Sequence, residues 1–214
     1  MVARAADAPE QPQRDLADAW VVAIEAAGLP VARTEGARPR PRIAFGAPLP
    51  VGMAAEAELI DVVMTERWPA WRVRDVLADH LPAGWHLVEL GDVWLAGPPL
   101  AGRVAAADYR AVLVGRPSTD DLRVAATELL AAPRLPRQRA KGDGNVEYDL
   151  RPLLIGVSVE EGPPVVVCTR TRFHPELGTG RPEEVLAALG DRLGQAFEAS
   201  SIVRERLVLS EDLD

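Results

Sequence analysis

The stretch YRAVLVGRPSTDDLRVAATELLAAP, from Tyr109 to Pro133, decides the fold. Tyr109 to Val114 is an apolar run that predicts a strand, ended by Gly115 and Pro117. Ser118 stands where a helix N-cap accepts a backbone amide, and Asp121 follows three residues on as partner in a capping box. The helix is predicted to run to Ala131, because Pro133 cannot continue it. Further along, Tyr148 to Val159 and Val165 to Phe173 predict a hairpin around Glu160-Glu161-Gly162. Pro182, Glu183 and Glu184 open a helix through Leu189, and Ile202 to Leu209 predicts a closing strand. The order β-α-β-β-α-β is that of the split βαβ, or ferredoxin-like, unit.

The first half repeats this rhythm less completely. Leu16, Trp20 and Ile24 recur at spacing four, Asp15 and Asp18 favour a helix N-terminus there, and Gly28 and Pro30 stop the helix. Four prolines in residues 38–52 force an extended course with room only for an edge or irregular strand. Glu58 to Thr65 predicts a strand, Trp71 to Leu81 a helix and Trp85 to Leu95 another strand. A linker is expected at Gly97-Pro98-Pro99-Leu100-Ala101-Gly102. The expected architecture is α+β, two tandem ferredoxin-like domains at residues 15–100 and 104–214 after a flexible lead-in at 1–14. The first domain either lacks a strand or draws it irregularly from residues 1–13.

Composition narrows the classes of function. The chain has 214 residues, 48% hydrophobic but only 5% aromatic, so its core is aliphatic. A net charge of −8 argues against coating nucleic acid or membrane through a global field, while a local basic patch stays compatible with it. The single cysteine, Cys168, excludes an intrachain disulfide framework or a cysteine metal cluster and points to a reducing compartment. The opening residues MVARAADAPEQPQRD hold no apolar core of a signal peptide, and no apolar run reaches 18 residues. A cytoplasmic protein without a membrane partner is expected.

Arginines recur at alternate positions in segments predicted to be extended: Arg38, Arg40 and Arg42; Arg137, Arg139 and Lys141; Arg170 and Arg172; Arg204 and Arg206. Alternate residues of a strand share a face, so each comb would project its charges to one side, where guanidinium groups bind phosphate in bidentate fashion. A solvated strand face carries charge as well, and only one of the 24 basic residues, Lys141, is lysine. The segment Arg134 to Lys141, four cations and no acid in a predicted loop, is the sharpest candidate. Glu56, Glu58 and Asp61 form a possible carboxylate site, since paired carboxylates serve hard cations and proton transfer. They pair as readily with Arg40 or Arg42. Asp149 and Arg151, with Pro152, are expected to fix a strand entry. His80, His86 and His174 lack metal-ligand spacing, and Cys168 shares a predicted strand face with Arg170, which would lower its thiol pKa if exposed. No phosphate-binding loop, dinucleotide fingerprint or nucleophile elbow is present, so no cofactor, metal or catalytic residue is assigned.

Several short motifs, in order, resemble the radical S-adenosylmethionine-linked proteins, an uncharacterised prokaryotic family. They are Ala27-Gly28-Leu29-Pro30, Gly36, Pro39-Arg40-Pro41-Arg42-Ile43, Leu49-Pro50-Val51-Gly52, and Glu56-Ala57-Glu58 with Asp61. Asp149-Leu150-Arg151-Pro152-Leu153 and Arg181-Pro182-Glu183-Glu184-Val185-Leu186 follow. The chain departs from the family pattern at Gln13-Arg14-Asp15 and Ala37-Arg38, and in lacking a basic first strand. The resemblance implies a separate radical S-adenosylmethionine protein as partner. This chain lacks the three-cysteine cluster for that chemistry itself. The expected function is therefore a non-catalytic accessory module presenting an anionic substrate, structured RNA, to that partner. The alternative is a protein-interaction subunit docking through Trp68, Trp71, Trp85 or a sheet edge. A third reading is a small carboxylate-dependent hydrolase or transferase.

Overall fold

The computed structural model describes residues 1–93, 98–141 and 144–213, Ala140 and Lys141 by their backbone alone. It is α+β and divides into two compact units, Met1–Val104 and Ala105–Asp214.

In the first unit, β1 (Val2–Arg4) precedes α1 (Gln13–Ala26), β2 (Ile43–Phe45), β3 (Ala54–Glu58) and β4 (Ile60–Val62). Then come α2 (Ala70–Ala78), β5 (Trp85–Leu87) and the short α3 (Leu100–Arg103). β1 lies between β3 and β5, antiparallel to both, while β2 pairs with β4. The predicted stripe of α1 is its buried face: Leu16, Trp20 and Ile24, joined by Ala23. Trp20 meets Trp85 edge to face, ring centroids 5.6 Å apart, over Val2 and Leu16.

Three sequence expectations change here. Residues 2–4, within the expected flexible lead-in but also within residues 1–13, the alternative source of a first strand, form a buried central strand, because β3 and β5 take up hydrogen bonds on both of its edges. The Arg4 guanidinium then donates to the carbonyls of Met53 (2.8 Å), Ala8 (3.1 Å) and Pro9 (3.0 Å), fastening the segment that leads to α1. The strand predicted for Glu58 to Thr65 begins earlier, at Ala54, and breaks at Leu59 into β3 and β4. The strand predicted for Trp85 to Leu95 closes at Leu87. Trp94 and Leu95, and Gly97 of the expected linker, lie outside the described residues.

The second stretch of chain runs β6 (Val104–Leu113), α4 (Thr119–Ala131), β7 (Pro136–Lys141), β8 (Gly144–Asp149), β9 (Leu154–Glu160) and β10 (Val166–His174). It ends with β11 (Gly178–Thr179), α5 (Pro182–Leu193) and β12 (Ala199–Leu209). The strands lie in the order β9-β10-β6-β12, with β11 on the far end of β10. The pairs β6–β10 and β9–β10 are antiparallel. Ser118 caps α4 as expected, its hydroxyl accepting from the Asp121 amide at 3.3 Å. α5 has Pro182 in its first turn and ends on Gly194, whose φ of +65° favours glycine. Leu122 and Leu129 of α4, Val185 and Leu189 of α5 and Val167 of β10 belong to one buried cluster together with Leu150 and Leu153.

The expected loop Arg134 to Lys141 is instead mostly strand. β7 pairs with β8 over its whole length, from Pro136↔Asp149 to Lys141↔Gly144, in a hairpin inserted between α4 and β9. Pro136 opens it, a position where a strand tolerates proline. Among the described residues, no helix is long and apolar enough to cross a membrane.

Candidate functional site

Strand alternation puts Val167, Thr169 and Thr171 of β10 on the buried side and Cys168, Arg170 and Arg172 on the other. On that open face Arg170 lies directly opposite Asp108 of β6 and grips it through two bonds, Nε to Oδ1 at 2.6 Å and Nη2 to Oδ2 at 2.9 Å. Arg206 of β12 donates to the same carboxylate at 2.7 Å. Burial would raise the Asp108 pKa, but the hydrogen bonds and charges of Arg170 and Arg206 outweigh it and hold the carboxyl below the usual aspartate range. Arg110 pairs with Glu205 at 3.0 Å. The expected basic face is thus a lattice of alternating charges. Among the described residues, no Phe, Tyr or Trp of β6, β10 or β12 stands on it to stack a base, since Tyr109 faces the core. Arg204, the companion of Arg206 in its comb, is 1% exposed.

Cys168, between these pairs, sits 3.6 Å from Glu160 Oε1. Burial first, then the carboxylates of Glu160 and Glu205, push its thiol up to about 11. The lowering expected from Arg170 does not occur, because that guanidinium is spent on Asp108.

The hairpin carries its cations differently. Arg137 and Arg139 alternate along β7, with Tyr148 opposite Arg137. Arg137 donates from Nη1 to Asp191 of α5 at 2.5 Å, while its Nε is buried with no partner among the described residues. Arg139 lies over the Tyr148 ring, 5.1 Å from its centroid. Burial and Glu184, to which its hydroxyl is hydrogen-bonded, raise the Tyr148 pKa. The side chain of Lys141 lies outside the described residues.

In the first unit, Arg38, Arg40 and Arg42 lie before β2 rather than within a strand. Arg40 is paired with Asp18 of α1, and Arg33 with Glu25 at 2.9 Å. The side chains of Arg38 and Arg42 are exposed and, like those of Arg139 and Arg172, have no carboxylate partner among the described residues. Glu56 is exposed, Glu58 is 4% exposed, and Asp61 lies on β4. Among the described residues, no three His, Cys, Asp or Glu side chains gather where they could hold a metal ion.

Three residues act as the sequence suggests or add to it. Asp149 Oδ1 accepts the amides of Leu135 (2.7 Å) and Arg151 (3.0 Å), closing the base of the hairpin. Arg151 donates to the carbonyls of Leu154 and Leu130, both at 2.8 Å. Against the burial that would raise it, those amides and Arg134 keep the Asp149 carboxyl below its ordinary pKa. His174 Nδ1 accepts the amides of Glu176 and Leu177, each at 3.1 Å, and shapes the turn into β11. The sequence signal for this turn is the pair His174-Pro175.

The geometry defines an α+β protein with ion-paired arginines on its sheet and helix surfaces, where Arg38, Arg42, Arg139 and Arg172 of the combs have no carboxylate partner among the described residues. The model of an uncharacterised protein family conserved in bacteria, DUF2344, matches residues 12–185. The chain belongs to that family, whose description names neither an activity nor a partner. No curated protein matches it. Among solved structures it is similar to a chain in the crystal structure of a Cbf5-Nop10-Gar1 complex, with 14% identity, a TM-score of 0.50, and coverage of 96% of this chain and 48% of that one. A chain of the archaeal box H/ACA sRNP Nop10-Cbf5 complex is similar at 14% identity and a TM-score of 0.44, covering 95% and 46%. At such identity the likeness to the first is one of fold alone, and the chain spans about half the length of the chains it matches.

Proposed function

We propose that this chain is a non-catalytic accessory module that presents an anionic substrate, structured RNA, to a separate radical S-adenosylmethionine protein. The observation that carries the RNA part is the partition of the arginines. Arg40, Arg137, Arg170 and Arg206 are neutralised by nearby acids, whereas Arg38, Arg42, Arg139 and Arg172 have no carboxylate partner among the described residues. Guanidinium groups left without counterions suit phosphate. The partner follows from the sequence motifs, such as Pro39-Arg40-Pro41-Arg42-Ile43, that resemble the linked family. The similar fold in a Cbf5-Nop10-Gar1 complex is in keeping with work inside a multi-subunit assembly.

The two units are taken as ferredoxin-like. In the second, the first, second, third and fourth strands of the motif are β6, β9, β10 and β12, and the order β9-β10-β6-β12 supports that arrangement. In the first, β1 between β3 and β5, with β2 paired to β4, supports the same plan with a broken third strand.

Fluorescence anisotropy with a labelled transfer RNA at two salt concentrations tests the function. Binding at low salt should weaken steeply as salt rises, because each phosphate contact releases counterions. Replacing Arg139 and Arg172 with Ser should lower the salt slope by about two while leaving the melting temperature nearly unchanged. Absence of binding at low salt, or an unchanged slope, overturns the reading.

A protein-interaction subunit is the second reading, and Trp71 favours it. Trp85 is committed to Trp20 and Trp68 lies under the Arg72 guanidinium at 3.7 Å, but Trp71 on α2 is 66% exposed. An exposed tryptophan is a common interface anchor.

A further inference from the structure

The β7–β8 hairpin shows how an anion could be held and also what holds its place. Arg137 and Arg139 lie on one face of β7, about 6.6 Å apart along the strand from its rise per residue. Arg137 is only partly satisfied: one nitrogen meets Asp191, and the buried Nε has no partner among the described residues. A guanidinium presents a fork that fits two oxygens, so a single bond to Asp191 leaves the fork half used. The Asp191 side chain is 70% exposed against 16% for Arg137, so of the two partners the carboxylate is the one that water reaches and can draw away.

Arg139 is held in place without an acid. Its guanidinium rests over the Tyr148 ring, and Tyr148 is in turn tied to Glu184 of α5. Its Nη2 also lies 3.5 Å from where a Cβ on Gly178 would stand, ordinary van der Waals contact with the turn into β11. A cation oriented by an aromatic face and lacking a counterion is prepared for an anion from outside.

We propose that the face of the hairpin bearing Arg137 and Arg139 is the phosphate-binding site of the second unit, and that the Asp191 carboxylate occupies it as a stand-in until RNA phosphate displaces it. This rests on the RNA reading above and assigns that function a place and an internal competitor.

The test measures binding of the full chain to a labelled transfer RNA at low salt, by anisotropy. Asp191→Asn should tighten binding about fivefold, the worth of one competing charge about 4 Å away in a high-dielectric setting. Asp120→Asn, an equal charge change at an exposed position on α4 where the carboxylate pairs with Arg123, should leave affinity within about twofold. Arg139→Ser should weaken binding. If Asp191→Asn binds as the parent does, or Asp120→Asn tightens binding as much, the site is not gated by Asp191 and the inference is overturned while the RNA reading stands. If the parent chain fails to bind at all, both fall.

Discussion

Arg170 and Asp108 face each other across the β6–β10 ladder, 62 residues apart in sequence, and are joined by two parallel hydrogen bonds of 2.6 and 2.9 Å. This pair turns what reads as a basic comb into a neutralised one, and it has a measurable pH signature. The carboxyl titrates below its ordinary value in the folded chain, so its stabilisation is fully present above about pH 4 and is lost as pH falls through the lowered pKa. Asp108→Asn should cost about 1–3 kcal/mol at pH 7, because it leaves two guanidinium groups short of an acceptor. The gap between parent and variant in urea midpoint should shrink on acidification to pH 2.5. A gap independent of pH would show that the pair is not what Asp108 contributes.

Trp20 anchors α1. It is 2% exposed and packs edge to face on Trp85. Trp20→Ala should destabilise by about 3–5 kcal/mol through lost transfer energy and the cavity left behind. Chemical denaturation gives the value, and a loss below about 1 kcal/mol would place the side chain outside the core.

Gly84 reports on the residues before α1. Its φ is +76°, and a Cβ there would clash with Ala8 Cβ and lie 2.7 Å from Ala8 Cα. Its carbonyl accepts the Ala5 amide at 2.8 Å. Gly84→Ala should therefore cost on the order of 2–4 kcal/mol, combining left-handed strain with overpacking. A neutral substitution, read by thermal melting, would mean that residues 5–8 do not pack on the entry to β5.

Cys168 should be a slow thiol. With its pKa pushed up to about 11, only about one molecule in a thousand carries the thiolate at pH 8, so Ellman's reagent should react about a hundredfold more slowly than with a peptide cysteine. Glu160→Gln should speed the reaction several-fold by removing a nearby negative charge. Labelling of the parent at the peptide rate would contradict the half-buried, acid-flanked environment.

The sequence by itself determined the helices and the motifs that act locally. Leu16, Trp20 and Ile24 mark one face of α1, Ser118 caps α4, and Asp149 and Arg151 fix a strand entry, because each of these signals involves residues within a few positions of one another. Tertiary structure decided the rest. β1 is three residues long, too short for periodicity to register, and is a strand only because β3 and β5 bond both of its edges. β7, with Pro136 and its cations, reads as a loop until β8 pairs with it. The state of each arginine was equally out of reach: Arg137 is matched to an acid 54 residues away and Arg206 to one 98 away. Strand pairing and ion pairing join segments distant in the chain, and the partner that completes them leaves no mark in the local pattern of residues.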